Sequence, residues 1–175
     1  MEESTKLTLV LMAGLPGAGK TTLAHALSRD LHWHVIGNDR YRKVLLKEGL
    51  SDERAGRVAY ELSFETARHV LIEQKASVIL DSGALHPFIL ENANNIVRDV
   101  ENTQLKVIFC VVHRDLRYER LRKRLWPPVT KITVDPETIA GYLQCFKHLP
   151  SNRLTLYTNE PFAKCLAKAR EYLRH

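Results

Sequence analysis

The stretch GLPGAGKTT, residues 14–22, decides the fold of this 175-residue chain. A glycine is followed by four residues and then by Gly-Lys-Thr, a spacing that fits a phosphate-binding loop. Glycine tolerates positive φ, so successive backbone N–H groups can turn toward one anion. Lys20 adds a charge that reaches the β- and γ-phosphates of a nucleotide, and the Thr21 hydroxyl can ligate Mg²⁺. The predicted nucleotide-binding residues of the loop are Gly14, Leu15, Pro16, Gly17, Ala18, Gly19, Lys20, Thr21 and Thr22.

The residues on either side of this loop support the same interpretation. Residues 6–13, KLTLVLMA, form a short apolar run suited to a buried parallel strand. Residues 20–31 place apolar side chains close to helical spacing, so a helix would direct its positive N-terminal end at the phosphates. Strand, loop and helix in this order are the context that the motif requires.

Composition and charge limit the class of protein. The chain is 45 % hydrophobic and 26 % charged, as expected for one globular domain over residues 1–175. No apolar run approaches the ~18 residues of a membrane helix. The opening MEESTK is not a signal-peptide n-region, so we expect a cytoplasmic protein with no membrane partner. The net charge of +6 suits an anionic ligand but does not by itself indicate nucleic acid.

Strand and helix patterns alternate along the whole chain. The predicted strands are residues 6–13, 34–36, 77–81, 105–112 and 153–158, and helical patterns follow each of them. Such alternation predicts an α/β fold, in which a five-stranded parallel sheet is covered by helices on both faces. Ligands bind outside the carboxyl ends of the strands in these sheets. The residues that follow each strand are therefore the candidates for chemistry.

Asp81 follows the third strand in the sequence VILDSG. A carboxylate there can hold Mg²⁺, directly or through water, so Thr21 and Asp81 are the predicted metal ligands. The alternative is a structural role, because Asp-Ser-Gly is also favourable turn chemistry.

Asp39 and Arg42 follow the second strand in the sequence GNDRYRK. Three positions on a helix amount to about one turn, so both side chains can face the same cleft. The carboxylate can accept a hydroxyl proton while the arginine orients an anion or the reacting phosphate. The alternative is that Asn38 or Asp39 only caps the next helix.

The fourth strand leads into the basic sequence HRDLRYERLRKR. At helical spacing Arg117, Arg120 and Arg124 fall within one narrow sector, beside an apolar sector that can pack on the protein. Guanidinium groups there can stabilise a transferring phosphoryl group. The alternative is a solvated basic face.

These motifs together resemble the P-loop kinases, and most closely the adenylate-kinase-like, zeta-toxin-like and polynucleotide-kinase-like small kinases. The motifs that carry the resemblance are the loop at 14–22, NDRYR, LDSG and ERLRKR, and it covers nearly the whole chain. It implies a three-layer P-loop NTPase fold with strand order 2-3-1-4-5 and a small helical lid at about residues 114–135. It further implies ATP and Mg²⁺ as cofactors, Asp39 as base, Arg42 as substrate or phosphate contact, and Arg120 and Arg124 as lid arginines.

The sequence thus predicts a Mg-ATP-dependent kinase that acts on a hydroxyl group of a small molecule, as a monomer or small homo-oligomer. Two alternatives stay open: transfer to the 5′-hydroxyl of a polynucleotide, and an ATP-binding or ATPase module that transfers to no acceptor. The polynucleotide partner is not favoured, because the chain lacks clustered aromatic residues along a long basic groove. A regulatory GTPase is excluded because no Asn-Lys-x-Asp tetrapeptide occurs.

Overall fold

A computed structural model describes residues 6–123, 144 and 146–175. The strands are β1 (Leu7–Ala13), β2 (His34–Gly37), β3 (Val78–Asp81), β4 (Thr103–Val111) and β5 (Leu154–Tyr157). The helices are α1 (Lys20–Leu31), α2 (Asn38–Lys47), α3 (Asp52–Glu73), α4 (Pro87–Asp99), α5 (Arg114–Arg122) and α6 (Phe162–Arg174), with a short 3₁₀ turn at Phe146–His148.

The five strands form one parallel sheet in the order β2-β3-β1-β4-β5. This order confirms the fold class and the strand order that the sequence and its resemblance predicted. β1 lies at the centre, where Leu9 pairs with Val78 of β3 and with Leu105 of β4. The loop that follows β1 therefore emerges between two neighbouring strand ends.

The central strand separates two hydrophobic layers. Leu9 and Leu11 point into the layer formed with α3 and α4, whereas Val10 and Met12 point into the layer formed with α1 and α6. All four side chains are fully buried. Burial on both faces explains why β1 reads as a continuous apolar run rather than as an alternating one.

Helix ends follow the local sequence signals. Ser51 caps α3, because its hydroxyl accepts a hydrogen bond from the Arg54 N–H at 3.4 Å. Pro87 occupies the first turn of α4, where its missing N–H costs nothing.

The predicted lid lies mostly outside the described residues. Only α5 and the residue after it fall within the predicted range 114–135, and Arg124 is among the residues left undescribed. Within the described part of the chain, no helix has both the length and the apolar composition needed to cross a membrane.

Two glycine substitutions should separate a permissive glycine from a required one. Gly56 lies inside α3, and a Cβ added there would meet nothing within 4 Å. Gly56→Ala should therefore raise the free energy of unfolding by about 0.5–1 kcal/mol. Gly14 has φ 136°, and its Cβ would collide with the carbonyl oxygen of Cys110, so Gly14→Ala should lower it by more than about 1 kcal/mol. Urea unfolding measures both, and a stabilised Gly14→Ala would contradict the argument.

Candidate active site

The loop after β1 adopts the conformation that its glycines permit. Gly14, Gly17 and Gly19 have φ values of 136°, 85° and 85°, in the region that side chains rarely adopt. α1 begins at Lys20, immediately after the last of them. The positive end of the α1 dipole therefore lies at the loop, as an anion site requires.

The ammonium group of Lys20 lies against the backbone of this loop. Its Nζ donates hydrogen bonds to the carbonyl oxygens of Gly14 at 2.9 Å and Leu15 at 3.0 Å. The charge is thus already held at the loop.

Asp81, the last residue of β3, is the centre of a cluster of polar groups. Burial raises the pKa of its carboxyl, and the nearby charge of Asp39 adds to the rise. A hydrogen bond from the Thr21 hydroxyl and the charge of Lys20 lower it. Gly37 pairs with Asp81 in the sheet, so no side chain stands on the strand beside the carboxylate. Four of the predicted site residues, from three separate segments, are therefore brought together here.

The contact between Thr21 and Asp81 is suited to Mg²⁺. A hydroxyl and a carboxylate are oxygen ligands of the kind that this ion prefers. Among the described residues, no group of three or more His, Cys, Asp or Glu side chains could hold a metal. A magnesium ion at Thr21 and Asp81 would then take its other ligands from phosphate oxygens and water, which is its usual mode of binding in phosphoryl-transfer sites.

Asp39 lies in the first turn of α2 rather than ahead of the helix. The N-cap position is Gly37, and no side chain forms a cap hydrogen bond there. Capping by Asn38 or Asp39, the structural alternative for this motif, is therefore wrong, because α2 already begins at Asn38. Asp39 is instead close enough to Asp81 and Tyr60 to raise the pKa of both.

Arg42 forms a double hydrogen bond with Asp52. Its Nη2 donates to the two carboxylate oxygens at 2.6 and 2.8 Å. Asp52 is the first residue of α3, so the pair joins the start of that helix to α2. Arg42 also acts electrostatically on Tyr60, which places its charge on the same side of the site.

Tyr60 is a site residue that the sequence did not reveal. Its phenol oxygen accepts hydrogen bonds from the Gly83 backbone and the Asn38 side chain, and its ring packs on Phe88 with 5.6 Å between centroids. Burial, reinforced by Asp39, raises the pKa of Tyr60 to about 12, so the phenol stays protonated. Tyr60 lies among the apolar residues of α3, so its sequence pattern is that of a core residue. Its polar contacts are seen only when α2 is in place beside α3.

The first two basic residues of the predicted arginine sector face the loop. Arg117 is 2 % exposed, and its Nη1 lies 3.4 Å from the carbonyl oxygen of Pro16. Arg120 donates to the Gly17 carbonyl at 3.5 Å and to the hydroxyl and carbonyl of Thr158 at 3.1 and 2.7 Å. A solvated face, the alternative for this segment, is therefore wrong for these two residues. Arg124 lies outside the described residues.

Thr158 is a second residue that sequence patterns missed. It follows β5, and its hydroxyl lies 2.9 Å from the Ala18 carbonyl and 3.3 Å from the Val111 carbonyl. The Thr158 N–H also donates to Val111 at 2.7 Å. Thr158 thus joins the end of β4 and the phosphate-binding loop to Arg120.

Known proteins share this architecture. The AAA domain family model, AAA_33, matches residues 9–149. A shikimate kinase of Bacillus cereus is 31 % identical over 123 residues, which are 69 % of this chain and 70 % of that protein. A replication factor C small subunit of Aeropyrum pernix is 46 % identical over 59 residues, 34 % of this chain, and this chain spans only 17 % of that subunit.

One solved structure illustrates the shared fold. The APS kinase of Mycobacterium tuberculosis, in complex with AMPPNP and APS, superposes with a TM-score of 0.65 and 16 % identity, covering 97 % of this chain and 99 % of that one. At this identity the likeness establishes the fold alone.

The buried charge of Asp81 predicts a measurable cost in stability. Because its pKa is raised, the folded protein binds more protons than the unfolded chain between pH 3.8 and the raised value. Stability from this group therefore falls as the pH rises through that window and stays lower above it. Asp81→Asn cannot ionise, so at neutral pH it should be more stable than wild type by about 0.5–2 kcal/mol.

Urea unfolding at neutral pH and below pH 3.8 tests this prediction, because the difference should vanish at the lower pH. Glu91→Gln, which removes an exposed carboxylate from α4, is the control and should change little. A less stable Asp81→Asn at neutral pH would contradict the buried-charge argument.

Proposed function

Because this chain belongs to the AAA domain family and to the P-loop small kinases, we propose that it transfers the γ-phosphate of ATP to a hydroxyl group of a small-molecule acceptor. The single observation that carries the proposal is the cluster around Asp81. The Thr21 hydroxyl bonds to this carboxylate, and Lys20 and Asp39 lie close enough to shift its pKa. One edge of the sheet thus brings together three groups of different proposed roles. They are the phosphate-binding Lys20, the metal-binding pair of Thr21 and Asp81, and the separate carboxylate of Asp39.

The nucleotide half of the site binds and orients phosphate. Backbone N–H groups of the loop and the Lys20 ammonium hold the phosphate oxygens, while Thr21 and Asp81 hold Mg²⁺. The bound ion supplies neutralisation of the charge on the phosphate oxygens. When ATP is bound, Lys20 donates its hydrogen bonds to phosphate oxygens in place of the two loop carbonyls that it contacts in this structure.

Asp39 accepts the proton of the acceptor hydroxyl. As the acceptor oxygen bonds to the γ-phosphorus, its O–H bond breaks and the proton passes to the Asp39 carboxylate. The bond from the γ-phosphorus to the bridging oxygen breaks, and ADP leaves with that electron pair. Asp39 is near Asp81 yet belongs to another segment, so it can serve the acceptor without being needed for ATP.

The arginines have two kinds of role: structural support of the phosphate-binding loop, and stabilisation of negative charge on phosphate. Arg117 is buried against the loop and fixes α5 there, while Arg120 is half-buried with its guanidinium at Gly17 and Thr158. Arg120 therefore stabilises the charge of the transferring phosphoryl group. Arg42 contacts the acceptor or its phosphate from α2, oriented by Asp52. Arg124 remains a predicted lid arginine.

An acceptor panel tests the function directly. Purified protein, Mg²⁺ and labelled ATP are incubated with polyols, sugar acids, aryl alcohols, shikimate and 5′-hydroxyl oligonucleotides, and labelled products are separated. Transfer to a small alcohol supports the proposal, transfer only to oligonucleotides supports a polynucleotide kinase, and ATP binding with no transfer supports a binding module. Shikimate is included because the Bacillus cereus relative is named a shikimate kinase.

Asp39→Asn should separate phosphoryl transfer from ATP binding. Asparagine keeps the size of the side chain but removes its basicity, so transfer should fall roughly 10²–10⁴-fold. ATP affinity should persist or rise slightly, because a negative charge near Asp81 is lost. The control is Asp115→Asn, which also removes a first-turn carboxylate, from the exposed start of α5. Full transfer by Asp39→Asn, with the acceptor found by the panel, would rule out the general base.

Arg120→Ala should lower turnover more than ATP affinity. Its guanidinium faces the loop, where an arginine that stabilises the transferring group is worth roughly 10³-fold or more in rate. Arg122→Ala is the matched control, because Arg122 lies two residues away on the same helix but is exposed. Steady-state rates and nucleotide titrations are compared for both variants. An equal loss in both would contradict the role assigned to the loop-facing side of α5.

A further inference from the structure

A half-open groove runs between α3 and α4. Its volume is about 420 Å³, within the range of small-molecule sites, and its walls include Tyr60 and Phe64 of α3 and Phe88 and Asn92 of α4. Three charged side chains of α3, Arg57, Glu61 and Glu65, also line it. Sequence patterns gave no function to any of these residues.

Tyr60 connects the groove to the catalytic cluster. Its ring lines the groove, and its phenol oxygen bonds to Asn38 and Gly83 beside Asp39. Tyr60 therefore belongs both to the wall of the groove and to the polar contacts beside Asp39.

The walls of the groove are aromatic. Phe88 meets Tyr60 edge to face at 5.6 Å, and Phe64 stacks with Tyr60 at 6.2 Å. Phe88 is 40 % exposed, which is unusual for a phenylalanine that already has aromatic neighbours on the protein. His86 also stacks on this ring with 5.8 Å between centroids, and the part of Phe88 that stays exposed adds apolar surface to the groove.

The charges of the groove favour a cation. Glu61 and Glu65 are exposed one helical turn apart, and neither has an ion-pair partner among the described residues. Arg57 is the one basic side chain in the lining, so the three charges sum to −1. Arg42, whose charge also acts on Tyr60, is bound to Asp52.

We propose that this groove binds the non-reacting part of the acceptor, and that this part is an aromatic or flat apolar group bearing a basic nitrogen. The placement of the acceptor rests on the proposed kinase function, whereas the binding chemistry of the groove does not. The aromatic rings hold the flat group, and Glu61 and Glu65 pair with the ammonium, which can also lie over a ring face. Acceptors that carry carboxylates or phosphates would meet two carboxylates and one guanidinium, and the net charge of −1 disfavours them.

Binding without catalysis tests the groove. ¹⁵N-labelled protein is titrated with 2-phenylethylamine, a cationic arene that has no hydroxyl to phosphorylate, and amide shifts are followed by NMR. The matched probe is 3-phenylpropionate, which has a similar ring and chain but a negative charge. We expect 2-phenylethylamine to shift the amides of Tyr60, Glu61 and Phe88 and to bind more tightly than 3-phenylpropionate.

Variants of the lining assign the contacts. Glu61→Gln/Glu65→Gln should weaken 2-phenylethylamine about three- to tenfold, as expected for two partly screened ion pairs. Phe88→Ala should weaken both probes, because it removes a wall rather than a charge. Glu73→Gln, on the same helix but outside the groove, is the control and should change neither affinity. All four positions are exposed, so the variants should fold.

The outcomes separate this proposal from the kinase function. Equal affinity for the two probes, shifts confined to other surfaces, or a Glu61→Gln/Glu65→Gln variant with unchanged affinity would overturn the cation-selective groove. If the acceptor panel finds transfer to anionic acceptors and Phe88→Ala leaves their KM unchanged, the kinase function stands and the groove proposal fails. If 2-phenylethylamine binds as expected but no acceptor is phosphorylated, the groove stands and the kinase function fails.

Discussion

The close approach of three strand ends at Gly14 is the constraint on which the site depends. With no side chain, its Cα fits against the carbonyl oxygen of Cys110 at the end of β4. Its N–H donates to the Gly83 carbonyl after β3 at 3.1 Å, and its own carbonyl accepts from Lys20 at 2.9 Å. One residue thus sets the distance between the phosphate-binding loop, the segment after Asp81 and the end of β4. Any side chain at this position would push all three apart.

The electrostatics of the site oppose folding and favour ligand. Burial disfavours the charged form of Asp81, and Asp39 adds a second negative charge nearby, whereas Lys20 and the Thr21 hydroxyl compensate only in part. A divalent cation on Asp81 would remove this penalty, and a phosphate would replace the Gly14 and Leu15 carbonyls as the partner of Lys20. Such a balance is expected where a protein gives up stability for function. The sheet tolerates it because the β1 residues beneath are fully buried in two apolar layers.

The geometry of the phosphate-binding loop could be predicted from the sequence, and the contacts of the proposed acceptor side largely could not. The phosphate-binding loop is formed by backbone geometry, so the spacing of its glycines already specifies positive φ at Gly14, Gly17 and Gly19. The proposed acceptor side is formed by side chains on different helices. In the sequence, Tyr60 has the pattern of a core residue. In the structure, α2 places Asn38 against its hydroxyl. The pair between Arg42 and Asp52 likewise depends on the angle between α2 and α3, which no local pattern encodes.

The phosphate-binding loop and the groove between α3 and α4 differ in how freely their residues can be substituted. The phosphate-binding loop is fixed on three sides, by Cys110, by Gly83 and by α5 packing within 3.0 Å of a Cβ at Gly17, so few substitutions are tolerated there. The lining of the groove between α3 and α4 has no such restriction, because Glu61, Glu65 and Phe88 are exposed at its surface. Tyr60 belongs to both regions, with its hydroxyl fixed beside Asp39 and its ring in the groove wall. Under the proposed function, the acceptor would therefore be changed by surface side chains of two helices, while the phosphate-binding loop and the proposed base Asp39 keep their places.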